Sequence, residues 1–261
     1  DWMTIPRFAA REGRALVDRI KAPTSTAQWK SSAERLRKTL DETVLSGTQP
    51  STETSQKTSD TSPQQIAFAP ESGILLNASH TIGKSPQRSG TVIILDLEGD
   101  ASLATNDLTL AVQQSGRKVV SLSLRATGEH AYTQDKVGRS PDHNTAEWSL
   151  WLGRPLLGQW VLDLRTAITA LKANGHADGS LTVIGVGPAG IVALCTAALD
   201  DRIDHTVTVG SLASFISDTP FENQRLGILP NGIIRDVGDV SHIAAMIAPR
   251  RLTIIGGVKG S

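Results

Sequence analysis

The sequence predicts an α/β fold with a doubly wound, mostly parallel sheet, helices on both of its faces, and a helical arm in front. Three observations lead there. The runs Thr91–Leu97, Lys118–Leu124, Leu181–Gly185, His205–Gly210 and Arg251–Gly256 are nearly continuous stretches of apolar and β-branched residues. Strands buried on both faces read this way, whereas a half-exposed strand alternates. Helical patterns separate these runs, as in a parallel sheet built by crossovers. Finally, the segment Leu181–Leu199 reads as a strand, a tight glycine turn and a helix.

The arm comes first and spans residues 1–45. Residues 4–21 carry an irregular apolar stripe of Ile5, Phe8, Leu16, Val17 and Ile20 among arginines. In residues 26–44, Trp29, Leu36, Leu40 and Val44 recur at helical spacing, behind threonine and serine hydroxyls suited to capping. The basic residues of the arm read as a solvated face, with a basic docking face as the alternative. Residues 46–64 contain no large apolar side chain and read as a polar linker or mobile loop, because burial there cannot offset the entropy of ordering.

Residues 65–261 form the main domain. Short early strands are expected at 66–68 and 73–77, and a helix over roughly 101–114. A long polar loop is expected over 126–147, and a strong helix over 155–173 with Leu156, Leu157, Trp160, Val161, Leu164, Ile168 and Leu171 on one side. After the helix at 188–199 come the strand at 205–210, a glycine- and proline-containing loop, a short helix at 241–247 and the strand at 251–256. No internal repeat is visible.

Composition bounds the function. The chain has 261 residues, 39% hydrophobic and 20% charged, with 26 basic and 26 acidic side chains. Zero net charge gives no global reason to expect nucleic acid as a partner. No apolar stretch approaches the length of a membrane span. The single cysteine, Cys195, rules out an intramolecular disulfide and lies in an apolar run typical of a core position.

The most informative run is Val183-Ile-Gly185-Val-Gly187-Pro-Ala-Gly190. By spacing it is a G-x-G-x-x-G sequence between a strand and a helix, the context of a dinucleotide fingerprint. In that reading Gly185 makes the turn, Gly187 admits a pyrophosphate and Gly190 lets the helix pack. Position argues otherwise: other sheet strands precede it, and the next strand ends at Gly210-Ser211 with no ribose-binding acid. No cofactor is therefore expected, with dinucleotide binding as an alternative. The second reading is a nucleophile elbow, G-x-S-x-G, whose serine position falls on Gly187. A glycine offers no nucleophile. The residue after it, Pro188, has no backbone N–H to donate to an oxyanion, although it suits the start of a helix.

From about Ser121 to Gly257, roughly half the chain, the sequence resembles the acetyl xylan esterase-like branch of the α/β-hydrolase superfamily. The resemblance rests on Ser123-Leu-Arg-Ala-Thr-Gly-Glu129, Leu152-Gly-Arg-Pro-Leu-Leu-Gly158, Asp163-Leu-Arg-Thr-Ala167, Ala198-Leu-Asp-Asp-Arg-Ile203, Arg235-Asp-Val-Gly-Asp239 and Ile247-Ala-Pro-Arg-Arg-Leu252. It implies an α/β-hydrolase-like fold and, if active, a carboxylic ester hydrolase using serine, acid and histidine in that chain order. Gly187 stands at the serine. The acid is expected near Gly257–Ser261, where there is none, and the histidine beyond Ser261, so the resemblance implies a C-terminally truncated part of a longer polypeptide. It also implies an exported or periplasmic setting, and either a carbohydrate ester or a companion catalytic domain as partner. The leading expectation is a catalytically degenerate domain with a structural or binding role. The alternative is an active esterase with an unconventional or externally completed site.

Ser211 and Asp239 are the remaining catalytic candidates; Ser211, like Ser214, lies where a strand ends, and Asp239 also suits a helix cap. His242 reads as a surface residue. His130 and His143 share a loop with Glu129, Asp135 and Asp142 but show no fixed ligand spacing, so no metal is expected. Glu98 and Asp100 stand where this fold often supplies its second oxyanion donor, and acids there would repel a developing negative charge.

Overall fold

The computed structural model describes residues 2–50, 57–58, 65–81, 90–99, 103 and 106–259. Among the described residues the sheet has eight strands: β1 Lys57–Thr58, β2 Gln65–Glu71, β3 Ile74–Thr81, β4 Thr91–Leu95, β5 Lys118–Leu122, β6 Leu181–Val186, β7 His205–Val209 and β8 Arg251–Ile255. They lie in the order β1-β2-β3-β5-β4-β6-β7-β8. The pairs from β5 through β8 are parallel, whereas β1, β2 and β3 add an antiparallel edge. All of β4 is buried, and so is β6 up to Val186, which explains their unbroken apolar sequences.

The helices are α1 Ile5–Val17, α2 Thr26–Lys38, α3 Asp107–Gln114, α4 His143–Trp151, α5 Leu156–Ala173, α6 Ala189–Leu199, α7 Ile233–Asp236 and α8 Val240–Ala245. The strongest expected helix, α5, buries Leu157, Trp160, Val161, Leu164 and Ile168 in the main core beside α6. Cys195 is fully buried there, and burial pushes its thiol up to about 12.

Several elements differ from the sequence reading. Helix α1 stops at Val17, and Asp18–Ile20 form tightened turns through Arg19 N–H to Leu16 and Ile20 N–H to Val17. The second helix changes to π-type bonding over Thr39–Val44, with Leu45 N–H reaching the Leu40 carbonyl. The loop expected over 126–147 gives way to helix α4 at His143. Its first-turn amide at Thr145 is satisfied by Asp135, ten residues earlier, a partner that no local start signal announces. A short helix, α7, also interrupts the loop before α8. Of the expected helix over 101–114, Asp107–Gln114 is described as α3, behind an Asn106 cap. Within the polar stretch 46–64, Lys57 and Thr58 pair with Ala67 and Ile66, and Thr48 and Gln49 accept bonds from Arg165; residues 51–56 and 59–64 lie outside the described residues.

The arm packs on the main domain. Leu40, Val44 and Leu45 belong to the main core. Gly158 on α5 meets the arm backbone so closely that a Cβ there would lie 2.1 Å from the Leu45 carbonyl oxygen. Arg14 pairs with Asp218, and Arg37 donates to the carbonyls of Ala198 and Met246. At the far edge, β8 pairs with β7 and leaves Ile254 and Ile255 more than half exposed.

Candidate ligand cleft at the glycine elbow

Strands β5, β4 and β6 create the topological switch of the sheet. The chain leaves β4 to one side to form β5 and returns on the other side of β4 to form β6. Crevices open at the carboxyl ends of strands at such a point. Leu95 is paired with Gly185, so Asp96 and Gly187 leave neighbouring strands at the same end. A cleft of about 580 Å³ lies there, with Gly187 and Pro188 at the elbow and Asp96, Lys136, Glu222 and Arg225 among its walls.

The three glycines of the turn have different physical reasons. At Gly185 a Cβ would lie 2.5 Å from the Ala189 carbonyl oxygen and 2.6 Å from Gly190 Cα, so strand and helix approach only without a side chain. At Gly190 a Cβ would lie 2.4 Å from Ser211 Cβ. Both are close-packing requirements internal to the chain, and they explain the spacing without a bound dinucleotide. Gly187 is the opposite case. Its φ is +54°, the left-handed conformation of a sharp turn, and among the described residues nothing lies within 4 Å of the position its Cβ would take. Gly187 N–H donates to the Val209 carbonyl at 2.8 Å, and its own carbonyl accepts from Gly190 N–H at 3.0 Å. Pro188 has helical φ and ψ and precedes α6 as its N-cap. The turn thus leaves room for a side chain at 187 and a ring without an N–H at 188.

The walls are balanced in charge. The Arg225 side chain is 8% exposed; one of its terminal nitrogens donates to the Leu97 carbonyl and to Glu98 Oε1, each at 2.8 Å. Glu98 is itself exposed and closes an ion pair at the rim. Arg139 and Glu222 form a looser pair at 3.4 Å. Asp96 accepts from Glu98 N–H and fixes the turn after β4. Asp100 lies outside the described residues.

The other candidates fall elsewhere. Ser211 is buried behind Gly190, with no hydrogen-bond partner for its hydroxyl among the described residues. Asp239 caps α8: its carboxylate accepts from Val240 N–H and Phe215 N–H and from the Ser214 hydroxyl. His242 completes the capping box, its Nδ1 accepting from Asp239 N–H at 3.1 Å. That nitrogen is therefore unavailable to a catalytic acid. Asp135 binds Thr145, and Asp142 accepts from the amides of Leu226 and Gly227, each at 2.9 Å. His130 and His143 face Glu129 and Glu147 respectively. Among the described residues no group of histidines, cysteines and carboxylates could hold a metal ion.

Sequence reasoning missed Arg225, and it named Asp142 only as a member of the histidine loop, not for its role here: Asp142 holds the turn that follows Arg225. It also missed the buried pair beneath the wall. Arg125 donates from its backbone and guanidinium to Asp163, and Trp160 Nε1–H donates to the Arg125 carbonyl at 2.8 Å. The acid–base run Asp163-Leu-Arg165 inside an otherwise apolar helix was the available signal.

Strand order, switch-point cleft and strand–elbow–helix turn define an α/β-hydrolase-like fold. No family model and no curated protein sequence matches the chain. Solved structures do resemble it. A candidate acetyl xylan esterase from Bacteroides fragilis superimposes with a TM-score of 0.75 at 16% identity, covering 97% of this chain and 75% of that one. A carbohydrate esterase family 15 glucuronoyl esterase from Caldicellulosiruptor kristjansonii gives 0.59 at 15% identity, covering 88% and 71%. The glucuronoyl esterase of Sporotrichum thermophile gives 0.58 at 20% identity, covering 90% and 68%. The chain therefore shares the fold of carbohydrate esterases of the α/β-hydrolase type.

Proposed function

We propose that this chain is a carbohydrate-esterase-like domain that has lost acyl transfer at its elbow and keeps the cleft above it for binding. The observation that carries this reading is Gly187: a left-handed turn residue with open space where a side chain would stand, followed by Pro188. Acyl transfer needs a nucleophile and a preorganised donor for the developing oxyanion. The elbow supplies neither a side chain at 187 nor an N–H at 188. Near-neutral walls rich in hydrogen-bonding groups suit a hydroxylated ligand, and an acetylated or glucuronoylated carbohydrate fits the chemistry of the solved structures that share the fold. A companion catalytic domain is the other partner this role allows.

The experiment is hydrolysis of p-nitrophenyl acetate and of acetylated xylan by the purified chain. Release at the rate of the buffer blank is expected, and Gly187→Ser is expected to stay at that rate because Pro188 still withholds its donor. Turnover well above background that disappears on substituting one cleft residue would sink the proposal.

A further inference from the structure

The connection between α1 and α2 at residues 19–23, helix α2 and the short helices α7 and α8 enclose a second groove of about 630 Å³, which shares no lining residue with the elbow cleft. Its apolar surface includes Trp29 and Leu36, half-buried and packed on the main core, and the buried Val237. Arg19, Lys21 and Arg35 also line it. The acid of the groove, Asp236, is already engaged by Arg235 through bonds of 2.7 and 2.6 Å. Among the described residues no carboxylate pairs with Arg19, Lys21 or Arg35. His242, whose Nδ1 accepts the Asp239 amide, also lines this groove.

Acids and bases balance at 26 each over the chain, so three uncompensated cations around one groove are a local excess. A concave wall with an apolar floor concentrates the field of like charges around it. An anion is favoured by that field, and Trp29 gives the groove an aromatic wall against which an apolar or planar body can lie. We propose that this groove binds a multiply charged organic anion, its planar or apolar part against Trp29 and its phosphate or carboxylate groups against Arg19, Lys21 and Arg35. The occupant is recognised by its charge, with contact of its planar or apolar part against Trp29 adding affinity, independently of any chemistry at Gly187.

Tryptophan fluorescence and calorimetry on the whole chain test this, with ATP as a planar polyanion, tripolyphosphate as the same charge without a ring, and citrate as a carboxylate source. ATP or citrate is expected to saturate. Dissociation constants are expected to rise by about tenfold or more in Arg19→Glu/Arg35→Glu and to rise further between about 50 and about 500 mM salt. Trp29→Phe should abolish the fluorescence change. Stronger binding of ATP than of citrate marks a phosphate source, and the reverse marks a carboxylate source. Both substituted arginines are exposed, and melting curves matching the parent's certify the fold; should the double reversal melt early, Arg19→Gln and Arg35→Gln singly serve instead. No saturable response to any of the three probes at millimolar concentration, or affinity unchanged by the arginine substitutions, would overturn the proposal.

Discussion

At the scale of the residue, the elbow separates two kinds of glycine. Gly185 and Gly190 are fixed by collision, Gly187 by backbone conformation alone. Gly187→Ala should therefore cost about 1–2 kcal/mol, the penalty of an L-residue in the left-handed region. Gly185→Ala and Gly190→Ala should each cost about 3 kcal/mol or more, because Ala189 or Ser211 must move. Urea denaturation of the three variants reads the difference; equal losses would mean that the turn is not held as described. These glycines were legible in the sequence because turn chemistry is local. Arg225 and the wall role of Asp142 were not, since their partners lie 127 and 84 residues away and no spacing rule connects them.

At the scale of the element, the apolar runs announced β4 to β8 within a residue or two. At β4 and β6 this is because strands covered on both faces leave little choice of side chain, whereas β7 is only partly buried and β8 is largely exposed, and their β-branched runs carried the signal instead. Helix α4 was hidden because its first turn is satisfied from Asp135. The exit of α6 illustrates how an element end is locked. The Asp200 carboxylate accepts from Arg202 N–H at 3.1 Å and Nε–H at 2.8 Å, with Arg165 at 3.7 Å. Burial alone would raise its pKa, but the bonds and charge of Arg202, helped by Arg165, hold it below the ordinary 3.8. A carboxyl depressed in the folded state stabilises in its charged form. That contribution is complete above about pH 5 and is lost as pH falls below 3.8 through the folded-state value. Asp200→Asn should accordingly lower stability at neutral pH by about 3 kcal/mol and flatten the acid limb of a stability–pH profile. An acid limb as steep as the parent's would assign that limb to other carboxylates.

At the scale of the whole molecule, the arm and the α/β body share a core. Leu40 is fully buried among body residues, and Leu45 lies backbone-to-backbone against Gly158. Leu40→Ala should cost about 2–5 kcal/mol and shift a single cooperative transition, measured by calorimetry. A separate low-temperature transition would instead mark the arm as an independent unit. Helical spacing made α1 and α2 legible, but their docking was not, because it depends on contacts such as Arg37 with Ala198 and Met246 that span 161 and 209 residues. The candidate site was legible at its elbow and at Glu98, but not at the rest of its walls, for the same reason of sequence distance.

The position of β4 between β5 and β6 has a consequence in time. During synthesis β5 can join β4 soon after both leave the ribosome, but β6 ends roughly 90 residues after β4. At ~5–20 residues per second, the apolar edge of β4 that will face β6 waits about 5–20 s for its neighbour. The buried centre of this sheet is thus also the surface that a nascent chain must keep from other strands longest, and the elbow that follows β6 forms only when that wait is over.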